Sequence, residues 1–175
     1  MMALSEATLI GQLEARGIRY LRGPAVDKHQ SLIEPATMIA VLASQPEPRF
    51  WEALVVWFLC RPQDSWLVPA GVEQLSRPVA LALKHGYTVA VYLQRFWHDS
   101  LRSYLGQFPL MPDYFGQSEF QLPAPEVYFG EAGLRQLALL FEEKTGYEWW
   151  SLYQSIIDLF LAQLSLDAEQ KAKDD

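Results

Sequence analysis

Apolar residues recur along most of this chain at helical rather than alternating spacing, and the pattern predicts one helix after another. Ser5 suits the cap of a first helix striped by Leu9, Ile10 and Leu13, and Gly17 offers a left-handed stop just beyond Arg16. Residues 18–21 either pair as a short strand or simply extend, ending at Gly23-Pro24. Pro35 fits the first turn of a second helix carrying Met38, Ile39, Val41 and Leu42, and Pro46 and Pro48 punctuate a short turn into a third, antiparallel one. The third runs from Arg49 to Cys60 and is ended by Pro62. The pattern resumes between Pro69 and Leu83, with Pro78 restarting a helix just after Ser76, and Gly86 marks a break or bend. Residues 87–105 read as one amphipathic helix, with Ala90, Leu93, Trp97, Leu101 and Tyr104 on its apolar face. Gln94, Arg95, His98, Asp99 and Arg102 lie opposite.

Residues 106–129 break the rhythm. Pro109, Pro112, Pro123 and Pro125 forbid a long helix, while Phe108, Tyr114, Phe115, Phe120, Tyr128 and Phe129 are more aromatic anchors than a flexible linker would carry. The segment reads as a strap packed over the surface. A helix over 131–144, stopped by Gly146, and a last one from Glu148 form a helical hairpin, and the charged tail 167–175 is expected to fray. The fold class is therefore all-α: a single compact domain over 1–166, a bundle of about six or seven helices with the 106–129 strap and a C-terminal hairpin.

Two stretches, 50–59 and 149–164, are apolar almost all the way round. A surface helix shows one polar face, so each of these must be central or covered. A bundle of this size surrounds one central helix, so the second rod calls for a second core layer or for a partner.

Composition changes the picture in three ways. Apolar residues make up 50% of the 175 and charged residues 20%, which favours a folded core over disorder. A net charge of −7, with 14 Lys and Arg against 21 Asp and Glu, disfavours broad phosphate contact, so nucleic acid is not expected as a partner. With Cys60 as the only cysteine, with no basic-then-apolar leader, and with no apolar run near the ~20 residues that span a bilayer, the expected setting is cytoplasmic, unprocessed and away from membranes.

Candidate chemistry is sparse. His29, His85, His98 and Asp99 lack the paired spacing of zinc helices, and no residue pattern calls for a metal or other cofactor. Arg95 and His98 beside Asp99 have the residue types of a phosphodiester-cleaving pair, but Arg95 can equally pair with Asp99 one turn on. Cys60, at the end of a greasy helix, is expected to be an inert buried thiol, and the neighbours Glu142 and Glu143 point apart. No catalytic residue is assigned.

Three functional expectations follow. The first is a non-catalytic interaction or regulatory protein that binds another protein, or itself, through Trp149, Trp150, Tyr153, Tyr114 and Phe115. The second is a small-molecule binding domain with an aromatic pocket in which Arg95, His98 or Arg102 orients a polar group. An unrecognised helical enzyme ranks third.

Overall fold

Prolines and short caps cut the chain into helices largely where the pattern places them. The computed structural model describes residues 3–23 and 31–175. Among these, eight α-helices form: α1 (Glu6–Glu14), α2 (Pro35–Ser44), α3 (Pro48–Cys60), α4 (Val68–Gln74), α5 (Arg77–Phe96), α6 (His98–Leu105), α7 (Glu131–Thr145) and α8 (Trp149–Asp174). Short 3₁₀ turns at Pro62–Leu67 and Val127–Gly130 complete the set, and every regular element among the described residues is helical. The count slightly exceeds expectation because α4 and α6 stand as separate helices.

Local chemistry explains the boundaries. Ser5 Oγ accepts the Thr8 N–H at 3.1 Å and caps α1, and Gly17, at φ 79°, turns the chain so that the Ile18 N–H returns to the Leu13 carbonyl. Residues 18–21 form no strand; they run irregularly, with Ile18 and Leu21 buried. Pro24 of the expected Gly23-Pro24 stop lies outside the described residues. Prolines occupy the first turn of α2, α3, α4 and α5, where a missing N–H costs no helical bond. Gly146, at φ 75°, closes α7, and Glu148 caps α8 across a short turn, giving the hairpin.

The core is organised around α5, which packs most extensively on α3 and also touches α2, α4, α6, α7 and the Val127–Gly130 turn. The 50–59 rod is enclosed: from Ala53 to Leu59 every side chain of α3 is buried, and Phe58 meets Tyr87 edge-on at 5.0 Å. The second enclosed helix is α5, where all residues over 85–94 are buried. Helix α8 is not fully enclosed. It turns Tyr153, Ile156, Ile157 and Phe160 inward and leaves Leu159 and Leu166 more than half exposed.

Two sequence expectations about α5 change here. Gly86 does not break the helix. A Cβ there would come within 3.1 Å of Trp51 Nε1 and 3.3 Å of Leu54 Cδ2, so the glycine lets α3 approach closely. Nor is 87–105 one amphipathic helix: the backbone breaks at Trp97 (φ −111°, ψ 25°), and Gln94, expected at the surface, is buried.

The strap gives the reason. Gln94 Nε2 donates to the Pro109 carbonyl at 3.0 Å and its Oε1 accepts the Met111 N–H at 2.9 Å. Tyr87 and Tyr92 hydroxyls donate to the Pro112 and Pro123 carbonyls, both at 2.6 Å. Polar side chains of the central helix thus satisfy the backbone of an irregular segment that would otherwise be costly to bury. Met111, Phe120 and Leu122 fill the space beneath it, as expected of a packed strap. At the far end of the chain α8 continues through the charged tail to Asp174, with Asp167 3.6 Å from Arg19.

Candidate functional site

The strap ends against the last turn of α5, and a cleft opens there. Gly130, at φ 87°, makes the approach feasible: a Cβ on it would lie 2.6 Å from the Tyr92 carbonyl oxygen and 3.4 Å from Arg95 Cβ. Just before it, Tyr128 (φ 47°, ψ 42°) and Phe129 (φ 55°, ψ 34°) both sit in the left-handed region. For an L-residue that conformation costs about 1–2 kcal/mol. The two rings are nevertheless thrown outward, 76% and 77% exposed.

The cleft encloses about 580 Å³ and is lined by Arg95, Phe96, Trp97 and His98 from the α5–α6 elbow, with Asp99 and Ser100 beyond, and by Leu110, Glu126 and Phe129 of the strap. Arg95 is half-buried. Its Nη1 donates to Gln94 Oε1 at 3.1 Å, and burial lowers its pKa while the nearby Glu126 carboxylate opposes that shift. Among the described residues, Arg95 Nε and Trp97 Nε1 are buried donors without a hydrogen-bond partner. His98 Nδ1 lies 3.3 Å from Asp99 Oδ1, and its ring meets Phe108 at 5.3 Å. The Arg95–Asp99 pair allowed by the sequence does not form, because the helix breaks between them. Strained backbone, exposed aromatic rings and unsatisfied donors coincide here, as they tend to at functional sites.

The structure brings Arg95 and His98 together in this cleft and leaves Arg102 on the exposed side of α6, outside the lining. None of the five residues expected at a partner surface lines this cleft. Tyr153 is fully buried, with its hydroxyl 2.5 Å from His85 Nε2, so it offers no surface. Trp150 is partly buried beneath the Arg135 guanidinium, 4.1 Å from the ring centroid. Tyr114 stacks on Tyr87 at 5.4 Å and Phe115 meets the same ring at 6.1 Å, so both anchor the strap. Trp149 is half-buried and packs edge-on to Trp51 at 5.3 Å. Trp97, Leu110 and Phe129, with the exposed neighbour Tyr128, were missed by the sequence reading of this site. The one signal for them was a pair of adjacent aromatics directly before a glycine and a helix start, a poor place to store core residues.

Several titratable side chains outside the cleft are buried. His85 lies face to face with Phe141 at 3.6 Å, and burial holds its pKa well below the usual histidine value. Burial pushes the Tyr153 and Tyr87 hydroxyls up, and the Cys60 thiol up to about 12, leaving it protonated and a poor nucleophile. Among the described residues no three His, Cys, Asp or Glu side chains gather as a metal site, and His29 lies outside them. No described helix is long and apolar enough to cross a membrane. Compared with protein-family models, curated sequences and solved structures, the chain matches none.

Proposed function

We propose that the protein acts by non-catalytic recognition of another protein, seating an apolar segment of that partner in the cleft between the α5–α6 elbow and the strap. The observation that carries this reading is the Tyr128–Phe129 pair: two adjacent rings more than three-quarters exposed, held out by a backbone conformation that costs stability. Aromatic side chains of this kind are the usual anchors of interfaces. Phe96, Leu110 and Phe129 supply the apolar wall, and the Arg95 guanidinium and His98 offer donors to backbone carbonyls of the incoming segment.

The test compares the wild type with a Tyr128→Ser, Phe129→Ser double variant. Affinity capture from the native extract is expected to return a stoichiometric companion with the wild type, with at least about tenfold less on the variant, whose melting temperature is unchanged or higher. A companion retained by the double variant rules out this cleft as the recognition site. A second reading, a small-molecule site, is favoured by the volume of 580 Å³, which falls inside the ~300–1,000 Å³ range of ligand pockets. Native mass spectrometry separates the two: a small ligand that co-purifies with the wild type and leaves on Arg95→Gln substitution supports the pocket instead.

A further inference from the structure

A second cleft, of about 320 Å³, lies between the α2–α3 turn and the α7–α8 turn, and it differs in chemistry from the first. Its aromatic lining is Trp51, Tyr147 and Trp149. Trp149 stands edge-on to both of the others, with centroids 5.3 Å apart in each case and planes at 69° to Trp51 and 78° to Tyr147. Both indole N–H groups are already used inside the protein: Trp51 Nε1 donates to the Ala82 carbonyl at 3.0 Å and Trp149 Nε1 to Thr145 Oγ1 at 2.9 Å. What the two indoles have left to offer is therefore ring surface rather than hydrogen-bond donors, and the Tyr147 hydroxyl is the donor that remains on the aromatic lining. The charged residues lining the cleft are two carboxylates, Glu47 and Glu52. Tyr147 is 53% exposed, so the cleft opens to solvent.

Aromatic faces set at angles to one another attract a cation through their quadrupoles, and a methylated ammonium gains most, since it needs no hydrogen-bond acceptors. Carboxylates at the rim add Coulombic attraction without competing for the faces. We infer that the Trp51–Tyr147–Trp149 cleft is an aromatic cage that binds a quaternary ammonium group. His85, behind Trp51 and Trp149 at 4.8 and 4.6 Å, is kept neutral by its burial and does not oppose the cation. This inference does not depend on the Arg95 cleft.

The experiment titrates the full chain with tetramethylammonium chloride by calorimetry, following the Trp51 and Trp149 indole resonances by NMR. Sodium chloride serves as the ionic control and neopentyl alcohol as a neutral molecule of similar shape. The expected result is saturable binding that moves both resonances, weakens about tenfold in Tyr147→Ala, weakens measurably in Glu47→Gln, and is absent for neopentyl alcohol. A trimethyllysine peptide bound more tightly than free tetramethylammonium places the natural head group on a protein; free tetramethylammonium bound at least as tightly points to a small metabolite, and both outcomes support the cage. Equal binding of neopentyl alcohol, no saturable shift in the folded wild type, or indifference to both substitutions overturns it.

Discussion

The two clefts are built on the same helix. Ala82 contributes to one and Arg95 to the other, about 20 Å apart along α5 at 1.5 Å per residue. They are made in opposite ways. The Trp51–Trp149 cleft is backed by packed rings with their N–H groups satisfied, and His85 behind it meets Trp51, Phe141, Trp149 and Tyr153 at ring-contact distance. The Arg95 cleft carries left-handed aromatic residues, exposed rings and buried donors without partners. The first is built from packed rings that add to stability; the second subtracts from it. A region that costs stability is the better candidate for the main function, because packing alone gives no reason to keep it.

Substitutions at the two clefts should therefore move stability in opposite directions. The largest effect is expected at the packed end: His85→Ala removes a ring stacked on Phe141 and leaves the Tyr153 hydroxyl without its partner, so urea unfolding should show a loss of about 3 kcal/mol or more. A loss below 1 kcal/mol would mean that the aromatic cluster is loosely held and that the contrast between the clefts is false.

The next effect is pH-dependent. His85 has a folded pKa below its unfolded value of 6.5, so between the two the unfolded chain binds one more proton than the folded one. Stability is complete above the unfolded pKa and is lost as pH falls below it, at up to about 1.4 kcal/mol per pH unit until the folded pKa is reached. His85→Gln keeps a hydrogen-bonding group near Tyr153 but cannot titrate. Denaturation at pH 7 and pH 5 should show a smaller pH slope for the variant than for the wild type, and parallel slopes would remove His85 as the cause.

The smallest effect carries the opposite sign. Phe129→Gly places a residue that tolerates φ 55° where an exposed ring now sits, and should raise stability by about 0.5–1 kcal/mol while weakening partner capture. A fall in stability would show that the ring is held by packing rather than offered to a partner.

Much of the architecture was legible because it rests on local rules. Prolines at the first turns of α2 and α3, the Ser5 cap and the left-handed Gly17 and Gly146 mark ends that neighbouring residues alone determine. The strap was legible for the same reason, since four prolines preclude a long helix and its aromatics call for anchorage, although Tyr128 and Phe129 stay exposed. Helix α5 was misread because polarity is not the same as exposure. Gln94, Tyr87 and Tyr92 look like solvent-facing or interfacial positions, yet each is hydrogen-bonded to a strap carbonyl 15 to 31 residues further along the chain. The rod at 149–164 was misread in the opposite sense: Ser151, Ser155 and Asp158 give α8 an exposed side that its aromatic start concealed.

The candidate sites were legible only as residue types. Arg95 and His98 were singled out, but their shared cleft depends on a helix break at Trp97 and on Gly130 admitting the strap beside α5. Trp149 was singled out, but its ring neighbour Trp51 lies on a helix almost a hundred residues earlier, and Gly86, a third segment, leaves room for it. The sequence alone determined that this chain is helical, where most of its helices start and stop, and that one segment is a strap, because those outcomes depend on backbone geometry and capping within a few residues. Only the tertiary structure decided which helix is central, which polar groups are buried and which aromatics face outward, because those depend on hydrogen bonds and close approaches between segments far apart in the chain.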